Sequence, residues 1–332
     1  MLDYLIEMLG CPVCHGELAW TIKWRLGSRI EEAEARCGGC GVTYPVREGI
    51  ALFLTPDLPR NDLWEQVDSG LTKYLREHPE VERQLMDVPL GELAPADQFF
   101  RALVLDERGM YGQAKAAEQV ANAGLYTQEY LACSESQFKY VVERLFASDG
   151  PIVDLASGRG ALAEKLASGL DRSLVITDFS PRVLRRNRRW LKFFGLYERA
   201  SLLAFDARRT PFKDRAVGTL TTYLGLSNIE KPADLLRELR RIVEGEFLAI
   251  SHFFPAEDEA NAAAIREVGL SPLLFRLSAL DYFAAAGWQT EMANVCMGEA
   301  LPTPRSVLLD GAGIDALPVV ETVLEWCVLV AS

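Results

Sequence analysis

No stretch of this sequence approaches the roughly eighteen consecutive apolar residues of a membrane-spanning helix, so no helical span is expected. Basic residues are in deficit: 35 Lys and Arg against 47 Asp and Glu give a net charge of −12. That balance weighs against general affinity for nucleic acid, whose phosphates demand a basic face. It leaves room for a local basic patch. Histidine is scarce, at three residues (His15, His78 and His252), and no catalytic triad is displayed. The first residues, Met1-Leu-Asp-Tyr-Leu-Ile-Glu7, are acidic where a secretory signal is basic. Internal repeats and low-complexity segments are also missing. Cysteine is odd in number, at seven, and four of the seven sit in two tight pairs. This argues against a disulfide framework and for metal chemistry in a reducing compartment, the cytoplasm.

What is present is ordinary in bulk and specific in detail. A chain of 332 residues that is 49% hydrophobic and 25% charged supports a sizeable core. Three regions are expected: a ribbon over 1–60, a helical linker or lid over 61–148, and a larger α/β domain over 149–332. The first is glycine-punctuated, with candidate strands at 18–24 and 42–47, and Pro56, Pro59 and Asn61 mark its end. In the second, 97–105, 113–123 and 135–147 carry apolar residues at three- and four-residue spacing, which reads as helix. Its aromatics suit a helical core layer or, alternatively, a cover over a substrate pocket. After Gly150, strands at 152–155, 174–177, 201–205, 218–224 and 247–253 alternate with helices at 161–168, 181–194 and 232–243. Such alternation predicts a doubly wound, mostly parallel sheet with helices on both faces. A helix at 279–286 and strands at 289–297 and 324–331 close the chain.

Cys11-Pro-Val-Cys14 and Cys37-Gly-Gly-Cys40 are two knuckles about two dozen residues apart. Two thiolates on one tight turn make half a tetrahedral zinc site, and the second turn completes it. Four cysteines leave no open position, so the zinc is expected to be structural. His15 is a less suitable ligand beside four thiols. The segment Leu9-Gly-Cys-Pro-Val-Cys14, with Val42-Thr-Tyr-Pro-Val-Arg-Glu-Gly-Ile-Ala-Leu-Phe53, is similar to a small zinc-ribbon family. Its best-known members are activator subunits of tRNA and translation-factor methyltransferases. The resemblance implies a structural and docking role, including a protein contact through the ribbon.

The segment Ile152-Val-Asp-Leu-Ala-Ser-Gly-Arg-Gly160 reads as a buried strand ending on an acid and turning through glycines into a helix. Such a turn brings backbone N–H groups and a helix N-terminus against a ligand. Asp178 ends the second strand, 18 residues after Gly160, where an acid takes two ribose hydroxyls. Asp206 ends the third, where a carboxylate can accept from an adenine amino group. A dinucleotide cofactor is the rival reading of the glycines. Asp154, Asp206 and the mid-chain position of the turn tilt against it.

Val153-Asp-Leu-Ala-Ser-Gly-Arg-Gly160, Thr177-Asp-Phe-Ser-Pro-Arg-Val-Leu184, Phe205-Asp-Ala207 and Gly225-Leu-Ser-Asn-Ile229 resemble the motifs of class I S-adenosylmethionine-dependent methyltransferases. The resemblance implies a Rossmann-like sheet of seven strands with the last antiparallel. It places Asp154, Gly158 and Gly160 at the methionine and ribose part of S-adenosylmethionine, Asp178 on the ribose, and Phe179 beside adenine. Asp206 and the backbone of Ala207 then serve the adenine edge, and segment 224–228, beginning at Leu224, faces the sulfonium. Ala156 stands where the family usually has glycine; its methyl group narrows the methionine end and costs little only at negative φ.

Methyl transfer is an in-line displacement on an activated carbon, so positioning supplies much of the rate. Tyr223, Ser227, Asn228 and His252 lie near strand ends as acceptor-side candidates, although a hydrogen-bonded structural role is the plainer expectation for His252. His78 reads as solvated. Arg182, Arg185, Arg186, Arg188, Arg189 and Lys192 crowd one helix, with Arg208, Arg209 and Lys213 nearby. They admit an RNA base methyltransferase as the alternative to a small-molecule enzyme. Solvated charges with intramolecular acidic partners are the commoner case. A decayed fold acting as a non-catalytic regulatory module is a further alternative.

Overall fold

The computed structural model describes residues 1–55, 63–267 and 272–332, with the side chains of 63–69 excepted. The N-terminal unit comprises α1 (Leu5–Met8), β1 (Leu18–Leu26), β2 (Arg29–Cys37), β3 (Thr43–Arg47) and β4 (Ile50–Leu52). The expected boundary at Pro56, Pro59 and Asn61 lies outside the described residues. Five helices follow: α2 (Leu63–Glu77), α3 (Pro79–Asp87), α4 (Pro95–Glu107), α5 (Tyr111–Leu125) and α6 (Gln128–Leu145). Alternation then begins with β5 (Ile152–Asp154), α7 (Ala161–Gly169), β6 (Leu174–Asp178), α8 (Pro181–Phe193), β7 (Ala200–Ala204), β8 (Val217–Tyr223), α9 (Pro232–Ile242) and β9 (Val243–Phe253). It ends with α10 (Glu259–Glu267), α11 (Arg276–Ala285), β10 (Thr290–Ala300) and β11 (Thr322–Ala331).

Local chemistry sets these boundaries. Thr127 caps α6 by accepting from the Tyr130 N–H, and Ser180 caps α8 by accepting from Val183, with Pro181 in the first turn. β5, β6 and β7 are almost wholly buried apolar runs, as parallel strands covered on both faces must be.

The strands form one continuous sheet in the order β1-β2-β3-β4-β7-β6-β5-β8-β9-β11-β10. β7, β6, β5, β8 and β9 run parallel, and β11 alone runs against them, antiparallel to both β9 and β10, which is the seven-strand arrangement expected with the last strand reversed. The ribbon is not a separate body, however. β4 pairs in parallel with β7, setting Ile50, Ala51 and Leu52 opposite Leu202, Leu203 and Ala204, so the sheet has eleven strands. β7 would otherwise expose an unpaired edge, and β4 covers it. Apolar packing is continuous as well: Leu9, Tyr44 and Phe53 of the ribbon share one buried cluster with Phe205, Phe212, Leu235 and Phe247.

Charge seals this junction. Arg29 donates to the carbonyls of Ala200, Tyr197 and Glu198 at 2.9, 2.8 and 3.1 Å, and its guanidinium lies 4.0 Å from the centre of the Tyr197 ring. From the other side, Arg188 of α8 bridges Glu31 and Glu48, both at 3.2 Å. α6 packs on β10, β11 and α7. α4 attaches through Asp106, whose carboxylate pairs with Arg186 of α8, both side chains being buried. Among the described residues, no helix is long and apolar enough to cross a membrane.

Removing one partner of a buried ion pair strands the other charge, at a cost of about 3–5 kcal/mol. Asp106→Ala is therefore expected to lower unfolding stability by about that amount. Arg185→Ala, on the exposed side of the same helix, is expected to stay within about 0.5 kcal/mol of the parent. Denaturant titration of both variants checks the contrast; equal effects would refute it.

Candidate functional site

β5 is the centre from which the sheet winds both ways, with β6 on one side and β8 on the other. Ligands in open α/β sheets bind at the carboxyl end of such a switch point. Asp154 ends β5 and is buried; its Oδ1 accepts from Thr221 Oγ1 at 2.9 Å, while Oδ2 has no partner. Burial pushes its carboxyl up to about 7, against the hydrogen bonds of Ser157 and Thr221. The turn that follows carries Gly158 at φ +50° and Gly160 at φ +86°. Both are left-handed values that glycine adopts freely.

Ala156 does the same at φ +51°. The low-cost condition of negative φ is therefore not met, and a non-glycine residue in this region carries about 1–2 kcal/mol of strain. Asp178 accepts from the Gly158 and Ser180 N–H groups, each at 2.9 Å, so one carboxylate orders the turn and the start of α8. Asn187 closes the same turn by donating to the Gly158 carbonyl at 2.9 Å, and Arg186 donates to that of Arg159 at 2.9 Å.

An open cavity of about 600 Å³ lies beside this turn, lined by Ala156, Asp178, Phe179, Asp206, Ala207 and Asn228 among others. The fold thus gathers most of the sequence-identified cofactor residues around one space. Asp154, Gly158 and Gly160 support the turn and are not among its lining residues. Asp206 is held by Arg208, whose backbone N–H and Nε donate to Oδ1 at 2.8 and 3.0 Å and whose Nη2 donates to Oδ2 at 2.7 Å. Arg208 also pairs with Glu230 across the rim at 3.2 Å. Asn187 and Arg208 are site residues that the sequence reading missed; Arg208 counted there only as one more basic residue.

Leu224, Leu226 and Ser227 of this segment border a second, water-sized cleft with Ser251 and His252 at the end of β9. Leu224 is also left-handed, at φ +52°. His252 Nδ1 is buried without a hydrogen-bond partner, so the expected bonded structural histidine is not found. Burial lowers its pKa to about 4, which keeps the ring neutral. Tyr223 lies apart from both cavities: its hydroxyl bonds Ser134 Oγ at 2.9 Å and its ring packs on Phe138. His78 is half-exposed, 3.4 Å from Glu80, as a solvated residue should be.

Four of the six cations of the basic helix have acidic partners within the chain, and Arg185 is exposed. Arg182 and Arg189 lie 3.7 and 3.8 Å from the Glu107 carboxylate, Arg186 pairs with Asp106, and Arg188 with Glu31 and Glu48. Lys192 stands over the Tyr197 ring at 5.1 Å. α4 and α5 border the glycine turn, where Arg159 reaches Glu118 at 3.7 Å and Lys115 pairs with Glu164. Asp97 of α4 accepts from Ser306, Val307 and Leu308, which ties these helices to the β10–β11 connection.

Cys11, Cys14, Cys37 and Cys40 converge, all four Sγ atoms lying within 4.8 Å of one another, and His15 is not part of the cluster. Backbone N–H groups of Val13, Gly39 and Cys40 point at sulfur from 3.3–3.4 Å. A Cβ on Gly16 would stand 3.3 Å from both Cys14 Sγ and Cys37 Sγ, a tight contact that the two sulfurs could relieve only by shifting. Four soft donors in a closed set suit zinc. The N–H groups that orient the sulfurs are the outer support such sites use.

Two family models match separate parts of the chain. Residues 152–245 match the family model described as methyltransferase domain, and residues 3–49 the one described as Trm112p-like protein. The ubiquinone/menaquinone biosynthesis C-methyltransferase UbiE of Pseudomonas syringae pv. tomato is 27% identical over 169 residues, 49% of this chain and 64% of its own length. The UbiE of Ectopseudomonas mendocina is 30% identical over 95 residues, 28% of this chain and 37% of its own. The chain thus spans roughly a third to two thirds of the curated relatives it matches. Among solved structures, the YcgJ protein of Bacillus subtilis superposes with a TM-score of 0.47 at 13% identity, covering 59% of this chain and 97% of that one. This chain carries a methyltransferase domain with a Trm112p-like zinc-ribbon domain in front of it.

Proposed function

We propose that this protein is an S-adenosylmethionine-dependent methyltransferase acting on a small molecule. The observation that carries the reading is the convergence of Asp178 and Asp206, from successive strand ends, on one cavity beside the glycine turn. Asp178 takes the ribose hydroxyls, Asp206 the adenine amino group, and the buried Asp154 faces the methionine end. In this reading 149–332 is the catalytic domain, 61–148 its helical cover and 1–60 the ribbon. The relatives named as C-methyltransferases of quinone biosynthesis support a small acceptor. Asp106, Glu107, Glu31 and Glu48 offset part of the charge of the basic helix, which lessens what is left for RNA phosphates. Reduced cysteines throughout fit a cytoplasmic address.

Bound S-adenosylmethionine supplies an activated methyl group. The chain's own part is to orient that group and exclude water, since proximity and alignment carry much of such a displacement. The four cysteines would hold zinc, which fixes the ribbon and takes no part in the transfer.

S-adenosylhomocysteine at one hundred times its dissociation constant is expected to stabilise the protein by about 2.7 kcal/mol, with NADH producing no shift in melting temperature. The reverse pattern would replace this reading with the dinucleotide one.

Asp154 supplies a pH signature. A carboxyl raised to about 7 in the folded state contributes stability at low pH. In the ligand-free protein that contribution is lost as pH rises from the ordinary carboxylate range through about 7. Binding of the cofactor's α-ammonium runs the other way, because it favours the ionised form. Affinity for S-adenosylhomocysteine should therefore rise by up to tenfold per pH unit and level off above about 7. Calorimetric titration of the parent and of Asp154→Asn, whose affinity should be flat with pH, measures it.

Metal analysis of the purified chain should return one zinc per molecule. Gly16→Ala should lower zinc retention through its clash with Cys14 and Cys37, and the melting temperature should fall with the metal content.

A further inference from the structure

Strand alternation carries Asp154 of β5, Tyr223 of β8, His252 of β9 and Trp326 of β11 onto one face of the sheet, the face that α6 covers. Asp154 stands opposite Thr221, Tyr223 opposite Ile250, and His252 opposite Trp326, so the row runs from the glycine turn to β11. α6 lies over it. Ser134 meets the Tyr223 hydroxyl at 2.9 Å, and the Tyr130 ring stands edge-on to Trp326 at 4.9 Å. Tyr126, just before α6, stacks on Tyr130 at 4.8 Å with the planes 12° apart. Its hydroxyl donates to Asp315 Oδ2 at 2.8 Å, which brings in the β10–β11 connection.

Three tyrosines and one carboxylate thus converge from three parts of the chain. Burial raises the pKa of Tyr126, Tyr130 and Tyr223, and the nearby charge of Asp315 adds to the rise at all three. Burial also pushes the Asp315 carboxyl up, against the hydrogen bond from Tyr126. Yet Asp315 is exposed, and Tyr130 and Tyr223 are only half-buried. Groups surrounded by protein and still open to water line a concave recess. Asp315 has no basic partner among the described residues, and neither have Glu129, Glu299 and Glu321 at its rim, where Glu321 and Glu129 raise the Glu299 carboxyl. His252, the basic side chain of the strand row, is kept neutral by burial at about 4. Aromatic faces and a carboxylate without a counter-ion both attract a cation.

We propose that this recess is the acceptor subsite, and that it holds the acceptor by an ammonium group set between Asp315 and the rings of Tyr126, Tyr130 and Tyr223. The inference rests on the methyltransferase reading and names the substrate class of that enzyme: a small amine that binds as a cation. Its position follows from the strand row. Asp154, assigned to the donor's methionine end, and Tyr223 share one sheet face, so a molecule anchored at Asp315 extends past Tyr223 toward the donor. Tyr126 fixes Oδ2 of Asp315, and Oδ1 makes no hydrogen bond among the described residues, which leaves it for the ligand. A protonated nitrogen has no lone pair with which to attack. The ammonium therefore anchors the molecule, and another of its atoms receives the methyl group.

The test is calorimetric titration of the full chain, saturated with S-adenosylhomocysteine, at neutral pH. Its probes are benzylamine, which is then a cation, benzyl alcohol, which is uncharged, and benzoate, an anion of similar size. Saturable binding of benzylamine is expected, with benzyl alcohol weaker by about tenfold or more and benzoate not bound. Asp315→Asn should weaken benzylamine binding by about tenfold. Its affinity for S-adenosylhomocysteine should be unchanged, which also reports that the variant is folded. Glu321→Gln, on the exposed rim, should stay within about twofold of the parent. Absence of benzylamine binding, equal binding of benzyl alcohol or benzoate, undiminished binding in Asp315→Asn, or an equal loss in Glu321→Gln overturns the subsite while the methyltransferase reading stands. Failure of S-adenosylhomocysteine to bind the parent removes the methyltransferase reading and this inference with it.

Discussion

A buried guanidinium must be paired, and the one on Arg186 is paired in a way that holds three regions together. It meets Asp106 of α4, donates to the Arg159 carbonyl in the glycine turn at 2.9 Å, and touches Asn187 Oδ1 at 3.0 Å. Asn187 in turn holds the Gly158 carbonyl. Two residues further along the helix, Arg188 reaches the ribbon acids Glu31 and Glu48. α8 is therefore the junction at which α4, the glycine turn and the ribbon meet. The Arg186 and Arg188 side chains are low in solvent exposure and fixed in partner, the condition under which ion pairs specify geometry instead of merely decorating a surface.

The ribbon is tied to the segment after Asp206 by a second route. Gly10, next to the first zinc-knuckle cysteine, donates its N–H to the Pro211 carbonyl at 2.7 Å, and Lys213 returns one to Met8 at 2.9 Å. Phe212 pairs with Leu9 between them and sits in the shared apolar cluster. The chain between Asp206 and Lys213 is thus pinned to a segment whose own shape depends on four thiols. Together with the β4–β7 ladder, this makes the ribbon part of the architecture that sets the cavity wall. A tethered appendage would leave both β7 and this loop exposed.

How much of this was legible in the sequence depended on how local the cause was. The glycine turn, the acids at strand ends and the two cysteine knuckles announce themselves because spacing along the chain alone places their chemistry. β2 was missed because its Glu-rich sequence hides an alternating pattern, in which Ala33, Ala35 and Cys37 are buried and Glu32, Glu34 and Arg36 are not. Arg186 and Arg188 read as a charge run because their partners lie about eighty and well over a hundred residues away. Arg208 was counted as bulk charge, although its partner Asp206 is two residues off, because a pair so close in sequence rarely shapes a pocket. His252 was assigned the commoner role, and only the packing around it reveals that its nitrogen has no partner.

The two cavities differ in kind, and the turn between them explains how they coexist. The cavity beside the glycine turn is lined by the carboxyl-bearing Asp178, Asp206 and Glu230; the smaller cleft is mostly apolar, with Leu226, Phe283 and Leu329 among its walls. Both sides lean on Gly225. A Cβ there would come within 2.8 Å of Thr222 Oγ1 and 3.0 Å of the Ala156 methyl. Gly225 therefore makes room for the methyl group that replaces the usual glycine at 156, and the strained φ values of Ala156 and Leu224 fall on either side of that contact. A side chain at 225 would push on Ala156 and, through it, on the wall of the cavity beside the glycine turn.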